Sequence, residues 1–167
     1  KREICKSNMA EQLFFTAKDK QARYLQLRPQ LEALLANETD QVALMANFCA
    51  ALKETFDWFW IGFYIVRGNE LVLGPFQGPI ACTRIGYNKG VCGTAWATSK
   101  TQLVPDVEAF EGHIACSSLS KSELVVPIIL NNEVWGVLDL DSMELGGFDL
   151  IDQLEIEKLV QWFAGLL

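Results

Sequence analysis

Apolar residues recur at helical spacing toward both ends of the chain and at strand spacing between them. From Met9 to Leu35 the pattern predicts helix, with a possible break around Leu27 and Pro29. Asn37, Glu38, Thr39 and Asp40 form a capping signal. Val42, Met45, Phe48, Cys49, Leu52 and Phe56 then follow at helical spacing and predict a second helix. Cys49 lies on that stripe and reads as a core residue. From Trp58 the rhythm changes. Trp58 to Val66 is dense in aromatic and β-branched residues and predicts a strand. Arg67 to Glu70 is a turn, and Leu71 to Phe76 a return strand. A second hairpin is predicted from Glu123–Leu130 and Val134–Asp141, joined by Asn131 and Asn132, which tolerate the positive φ of a tight turn. After Gly146 and Gly147, Asp149 is a candidate N-cap for a last amphipathic helix through Leu154, Leu159 and Phe163. Helices flanking an antiparallel sheet of about five or six strands define an α+β fold. The expected organisation is a polar tail over residues 1–8 and a single domain over residues 9–167.

The loop-rich stretch from Gln77 to Ser122 separates the two hairpins and carries three of the five cysteines, Cys82, Cys92 and Cys116, with the single histidine, His113. Gly90 to Ala97 reads as a loop feeding a helix, which puts Cys92 near a helix N-terminus. Unpaired backbone N–H groups and the helix dipole favour a thiolate there. If the three cysteines converge, the chain does thiol chemistry; the bland alternative is that each fills a separate loop or core position. His113 reads as structural, and Cys5 as incidental. Five cysteines without short paired spacings do not form a zinc motif, so no metal is expected. Clustered cysteines outside such a motif fit a reducing, cytoplasmic setting.

Charge narrows the function classes. With 21 acidic against 14 basic residues the net charge is −7, and a phosphate backbone finds no landing surface. No apolar run approaches the roughly 20 residues of a membrane span, and the polar opening, Lys1 to Asn8, does not read as a signal peptide.

An acidic pair interrupts the last predicted strand. In Val137-Leu138-Asp139-Leu140-Asp141 the two carboxylates share one face and the leucines the other. A solvated edge would explain them. Carboxylates aimed into a lined cavity would instead require a cation or hydrogen-bond donors. Glu123, opening the partner strand, is a candidate third member. A two-residue Asn131-Asn132 loop alone places Glu123 opposite Leu140, on the wrong face. A longer loop, or a bulge near Pro127, brings it opposite Asp141.

The runs Leu73-Gly74-Pro75-Phe76-Gln77-Gly78, Ile80-Ala81-Cys82, Gly90-Val91-Cys92-Gly93-Thr94-Ala95, Gly112-His113-Ile114-Ala115-Cys116 and Gly136-Val137-Leu138-Asp139-Leu140-Asp141-Ser142 together resemble the free methionine-(R)-sulfoxide reductases, a family of GAF-domain enzymes. The resemblance covers about Asn37 to Leu167. One departure is Ser117, where that family usually has an acidic residue. The resemblance implies a single GAF-like domain and reduction of free L-methionine-(R)-sulfoxide without a cofactor. It implies that Cys116 attacks the sulfoxide sulfur and becomes a sulfenic acid, that Cys82 and Cys92 resolve it to a disulfide, and that thioredoxin reduces the disulfide. Attack by Cys92 is the alternative order. Glu123, Asp139 and Asp141 would meet the substrate ammonium, and a buried acid would protonate the sulfoxide oxygen. Trp60 and Tyr64, four apart on one strand face, would wall its methyl end. A homodimer and a role under oxidative stress belong to the same expectation. A small-molecule-binding GAF sensor and a cysteine redox switch are the rival readings. The sensor is less expected because the pattern shows no output domain after the last helix, and mutation of the cysteines separates the redox switch from an enzyme.

Overall fold

The computed structural model describes residues 12–114 and 117–167. The tail over 1–8, with Cys5, and the attacking thiol expected at Cys116 lie outside them. Among the described residues the chain forms α1 (Lys20–Leu35), α2 (Gln41–Phe56), β1 (Trp60–Arg67), β2 (Glu70–Gln77), β3 (Arg84–Gly86), α3 (Gly90–Thr98), β4 (Gln102–Val104), a single 3-10 turn (Val107–Ala109), β5 (Ser122–Leu130), β6 (Glu133–Ser142) and α4 (Leu150–Ala164). No helix among them is long and apolar enough to cross a membrane.

The first helix starts later than its hydrophobic pattern predicts. Asp19 caps it by accepting from Ala22 N. The preceding residues lie back along it instead: Phe14 N donates to Gln30 Oε1, and Thr16 N and Ala17 N to Gln26 Oε1. Nor does Pro29 break it. An interior proline costs about 3 kcal/mol, but Tyr24, Leu27, Leu31 and Leu35 are all buried against the core, at about 1.5–3 kcal/mol for each large apolar side chain. Packing wins. The second helix is capped by Asp40, whose carboxylate accepts from Val42 N and Ala43 N, and Asp149 heads α4 in a capping box with Asp152. Val42, the first member of the predicted α2 stripe, is exposed, whereas Met45, Phe48, Cys49 and Leu52 are buried.

The six strands form one sheet in the order β3-β2-β1-β6-β5-β4, every neighbouring pair antiparallel. The sequence pattern misses β3 and β4, which are three residues each and too short to show a period. Both lie at the sheet edges, where short strands limit unwanted pairing. Alternation divides the sheet cleanly. Ile61, Phe63, Leu124, Val126, Leu138 and Leu140 face α1, α2 and α4 and build the larger core with Phe48, Leu52 and Phe163. Trp60, Tyr64, Val125 and Val137 face the other way, toward α3 and the loops, in a smaller cluster with Val91, Cys92 and Ala95. The polar residues of interest fall on this second face.

Register resolves the question about Glu123. The β5–β6 hairpin turns on two residues, Asn131 and Asn132, both at positive φ. Leu130 opposes Glu133 and Ile129 opposes Val134, but Ile128 opposes Gly136, so Trp135 is an extra residue in β6. That bulge moves Glu123 from opposite Leu140 to opposite Asp141.

Candidate active site

Three adjacent strands deliver the floor of the site. Glu123 in β5 opposes Asp141 in β6, and across β1 Asp141 opposes Trp60 while Asp139 opposes Gly62. All three carboxylates therefore project from one sheet face, into a cavity between the sheet, the N-terminus of α3 and the loops around residues 78–89 and 113–120. Of the two readings of Asp139 and Asp141, the cavity-facing one fits and the solvated edge does not: β6 is central, and Glu123 and Asp139 are only 7% and 6% exposed.

Crowding and burial set the protonation of this cluster. Burial, then repulsion from Asp139 and Asp141, holds the Glu123 carboxyl well above the usual carboxylate range. Burial, then the charge of Asp141, does the same to Asp139. Asp141 is pushed up to about 6 by burial, offset in part by the Ser120 hydroxyl that donates to its Oδ1. Three like charges cannot coexist here without a cation. Asp139 Oδ1 is buried with no hydrogen-bond partner among the described residues.

Cys92 enters this cluster from α3. Gly93 allows the helix to approach β3: a β-carbon there would stand 2.5 Å from Gly86 O. The turn is locked by Asn88 N donating to Gly93 O and Gly93 N to Lys89 O. Cys92 is 3% exposed, with Sγ 3.9 Å from Glu123 Oε1. The expected activation of this thiol by its helix N-terminus is overturned. Burial, then the nearby Asp139 and Glu123, pushes the thiol well above its ordinary range. Two carboxylates at close range outweigh half a unit of helix charge.

Cys82 lies on the loop after β2, next in sequence to Ala81, which lines the cavity. It is disulfide-bonded, whereas Cys49 and Cys92 carry free thiols. Its loop is anchored from below, because Tyr64 Oη donates to Cys82 O at 2.9 Å. Tyr64 and Trp60 do share a face. Trp60 stacks on Phe76 at 5.4 Å and on Tyr64 at 5.9 Å, and its Nε1 donates to Pro79 O. Two glycines make room for the indole. A β-carbon at Gly62 would lie 2.2 Å from Trp60 Cη2, and one at Gly78 would lie 2.5 Å from Trp60 Cδ1.

The structure adds residues the sequence did not single out for the site. Ser120 grips Asp141. Lys89, at the N-cap of α3, is the one lysine or arginine among the described lining residues, and α3 has no side-chain cap there. Nothing in a spacing pattern marks either one. His113 also lines the cavity, and partial burial lowers its imidazole pKa against the opposing pull of Glu108, so it is neutral at pH 7.

Known proteins share this architecture. A GAF domain model matches residues 38–161. GAF domain-containing protein A of Dictyostelium discoideum is 55% identical over 154 residues, spanning 92% of this chain and 98% of that protein. Free methionine-R-sulfoxide reductase of Escherichia coli is 46% identical over 138 residues, 82% of this chain and 84% of that one. The X-ray structure of free methionine-R-sulfoxide reductase from Neisseria meningitidis in complex with its substrate superposes with a TM-score of 0.91 at 52% identity, covering 93% and 94% of the two chains. The chain thus belongs to the GAF-domain family, among the free methionine-(R)-sulfoxide reductases.

Proposed function

We propose that this protein reduces free L-methionine-(R)-sulfoxide to L-methionine with its own cysteines. The observation that carries the reading is the convergence of three acids and an aromatic wall on one cavity, with the disulfide-bonded Cys82 held beside it by Tyr64. A free amino acid brings the ammonium that such a cluster lacks. Asp141, whose carboxyl is pushed up to about 6, holds that ammonium as a carboxylate, fixed by Ser120. Lys89 and the uncapped start of α3 face the substrate carboxylate. The methyl end lies against the indole of Trp60.

In this reading the Cys116 thiolate attacks the sulfoxide sulfur. The S–S bond so formed and the S–O bond break as the oxygen passes from the methionine sulfur to Cys116, methionine leaves, and Cys116 is left as a sulfenic acid. The proton that the oxygen needs comes from Glu123 or Asp139, whose burial favours the protonated carboxyl. Cys82 then condenses with the sulfenic acid, releasing water and forming a disulfide. A thioredoxin dithiol reduces that disulfide by exchange, restoring both thiols. Two observations support Cys82 as first resolver: it is the disulfide-bonded cysteine among the described residues, and neither Cys49 nor Cys92 is its partner. Cys92, buried among carboxylates, is a poor nucleophile in this state and acts at most as a later relay.

The test is loss of free L-methionine-(R)-sulfoxide with dithiothreitol or with a thioredoxin system. Cys116→Ser should abolish both. Cys82→Ser should retain a single turnover, with sulfenic acid trapped by dimedone, and lose thioredoxin-supported cycling. Unchanged dithiothreitol-driven loss of the sulfoxide in Cys116→Ser refutes the assignment.

A further inference from the structure

Cys92, Glu123 and Asp139 meet at the bottom of the cavity in an arrangement that ammonium binding does not require. One ligand atom from each lies within 4.8 Å of the other two, and all three side chains are buried. The Cys92 Sγ to Glu123 Oε1 separation is 3.9 Å. Two ligands of one zinc ion stand at about that spacing, given bonds of about 2.3 Å to sulfur and about 2.0–2.2 Å to a carboxylate oxygen. Asp139 provides a second, independent observation. It is 6% exposed, and its Oδ1 is a buried atom with no hydrogen-bond partner among the described residues. Such an atom is costly unless something positive reaches it.

The donor set selects the ion. Magnesium and calcium call for six or more oxygen ligands and do not take thiolates. Zinc is borderline in softness, accepts sulfur and oxygen together, and is satisfied by three protein ligands with one open position. The ligands are also held in place beforehand. Glu123 and Asp139 sit on paired strands, and α3 is locked to β3 through Gly93. A Cys-x-x-Cys search misses this site because two of its three ligands are carboxylates from separate strands.

We propose that Cys92, Glu123 and Asp139 form a Zn2+ site whose fourth position opens to the cavity, and that zinc and an amino-acid substrate exclude each other there. Only the exclusion rests on the function proposed above. Binding replaces the thiol hydrogen by a sulfur–zinc bond and releases the proton, with no change in oxidation state. A zinc-loaded enzyme is therefore shut, because the ion takes the Glu123 and Asp139 carboxyls that protonate the sulfoxide oxygen and sets a positive charge beside the ammonium site at Asp141.

Titration of the protein with Co2+ alone, in the Cys82-disulfide state and without reductant, tests this. The expected result is a thiolate-to-cobalt charge-transfer band with tetrahedral visible bands, removed by one equivalent of Zn2+. Cys92→Ser should lose the charge-transfer band and weaken binding at least about tenfold. Asp139→Asn should weaken binding similarly while keeping the band. Cys49→Ser, on the opposite face of the sheet, should keep both. A folded wild type without the band, or a Cys92→Ser protein with it, overturns the site. Free L-methionine-(R)-sulfoxide should displace the cobalt. If cobalt binds through Cys92 and the sulfoxide does not displace it, the exclusion falls and the metal site stands. If cobalt fails to bind while the protein still reduces the sulfoxide, the metal site falls and the enzyme reading stands.

Discussion

Gly62→Ala is the smallest substitution that should disable the substrate wall. Gly62 sits in β1 between Phe76 of β2 and Asp139 of β6, and the Trp60 indole folds across it. An added β-carbon would stand 2.2 Å from Trp60 Cη2 and 2.5 Å from Phe76 Cβ. Carbon pairs rest at about 3.5–4.0 Å, so the indole edge must retreat by about 1.3 Å or more. It has little room, being stacked on Phe76 and Tyr64 and tied to Pro79 O. Overpacking of this kind costs about 1–3 kcal/mol, read as a shift in urea midpoint. A displacement near 1 Å in a wall that positions the reacting sulfur costs about 10–100-fold in kcat/KM for L-methionine-(R)-sulfoxide. Adding Trp60→Phe to Gly62→Ala removes the colliding edge and should recover the lost stability in part. Activity should stay low, because the wall itself is then smaller. A Gly62→Ala protein with wild-type stability and kcat/KM within about twofold would refute this account of how Trp60 is held.

Asp141 makes the pH dependence testable, in buffers containing a chelator. Its carboxyl lies at about 6, raised by burial above an ordinary value of 3.8; the ammonium needs it ionised, so KM for the sulfoxide should rise as pH falls through about 6, and Asp141→Asn should abolish that rise while weakening binding about tenfold or more. The stability effect has the opposite sign. A raised carboxyl stabilises the fold below its ordinary value and loses that contribution as pH rises through about 6. Asp141→Asn should therefore match wild type in denaturation near pH 3.5 and exceed it by about 1–3 kcal/mol at pH 8, discounted for its partial exposure; equal stability at both values counts against the buried-acid cluster. Tyr64→Phe removes the hydroxyl that holds Cys82 O, worth about 0.5–1.5 kcal/mol. It should slow disulfide formation in stopped-flow while leaving the first reduction of sulfoxide unchanged; a Tyr64→Phe enzyme that resolves at the wild-type rate argues against the anchor.

Much of this fold was legible because its elements carry strong periods. Asp40 and Asp149 announced α2 and α4 by capping chemistry, and the alternation of Val137 to Asp141 put both acids on one face. Four things escaped. The short edge strands β3 and β4 have no period to read. The α1 boundary was set by Gln26 and Gln30 gripping the preceding segment, an interaction across more than two turns that no propensity reports. Cys92 was placed correctly at a helix start, yet its chemistry inverted. Local sequence shows the helix dipole, whereas the carboxylates that defeat it come from strands 31 and 47 positions away, by the numbering of Cys92, Glu123 and Asp139. Lys89 and Ser120 escaped for a similar reason, since each gains meaning from a partner delivered by the fold.

The site depends on one irregularity in an otherwise regular sheet. With a two-residue turn and no bulge, Glu123 would oppose Leu140 and point into the helix-covered core. Trp135 is the inserted residue that corrects the phase. Gly136 makes the correction possible, since a β-carbon there would lie 2.6 Å from Tyr64 O in the neighbouring strand. Sheet period is two, so a single insertion exchanges the faces of everything beyond it. An acid that would otherwise be a buried, unpaired charge becomes the third member of a cluster. That cluster is strained while empty, with raised carboxyls and an unpaired Asp139 oxygen. A site so built binds whatever positive group fits it and is stabilised on binding. In this fold specificity therefore resides in the walls, Trp60 and the α3 start, more than in the acids. On the two proposals made above, the same floor serves an amino-acid ammonium and, in its absence, a thiolate-binding metal ion.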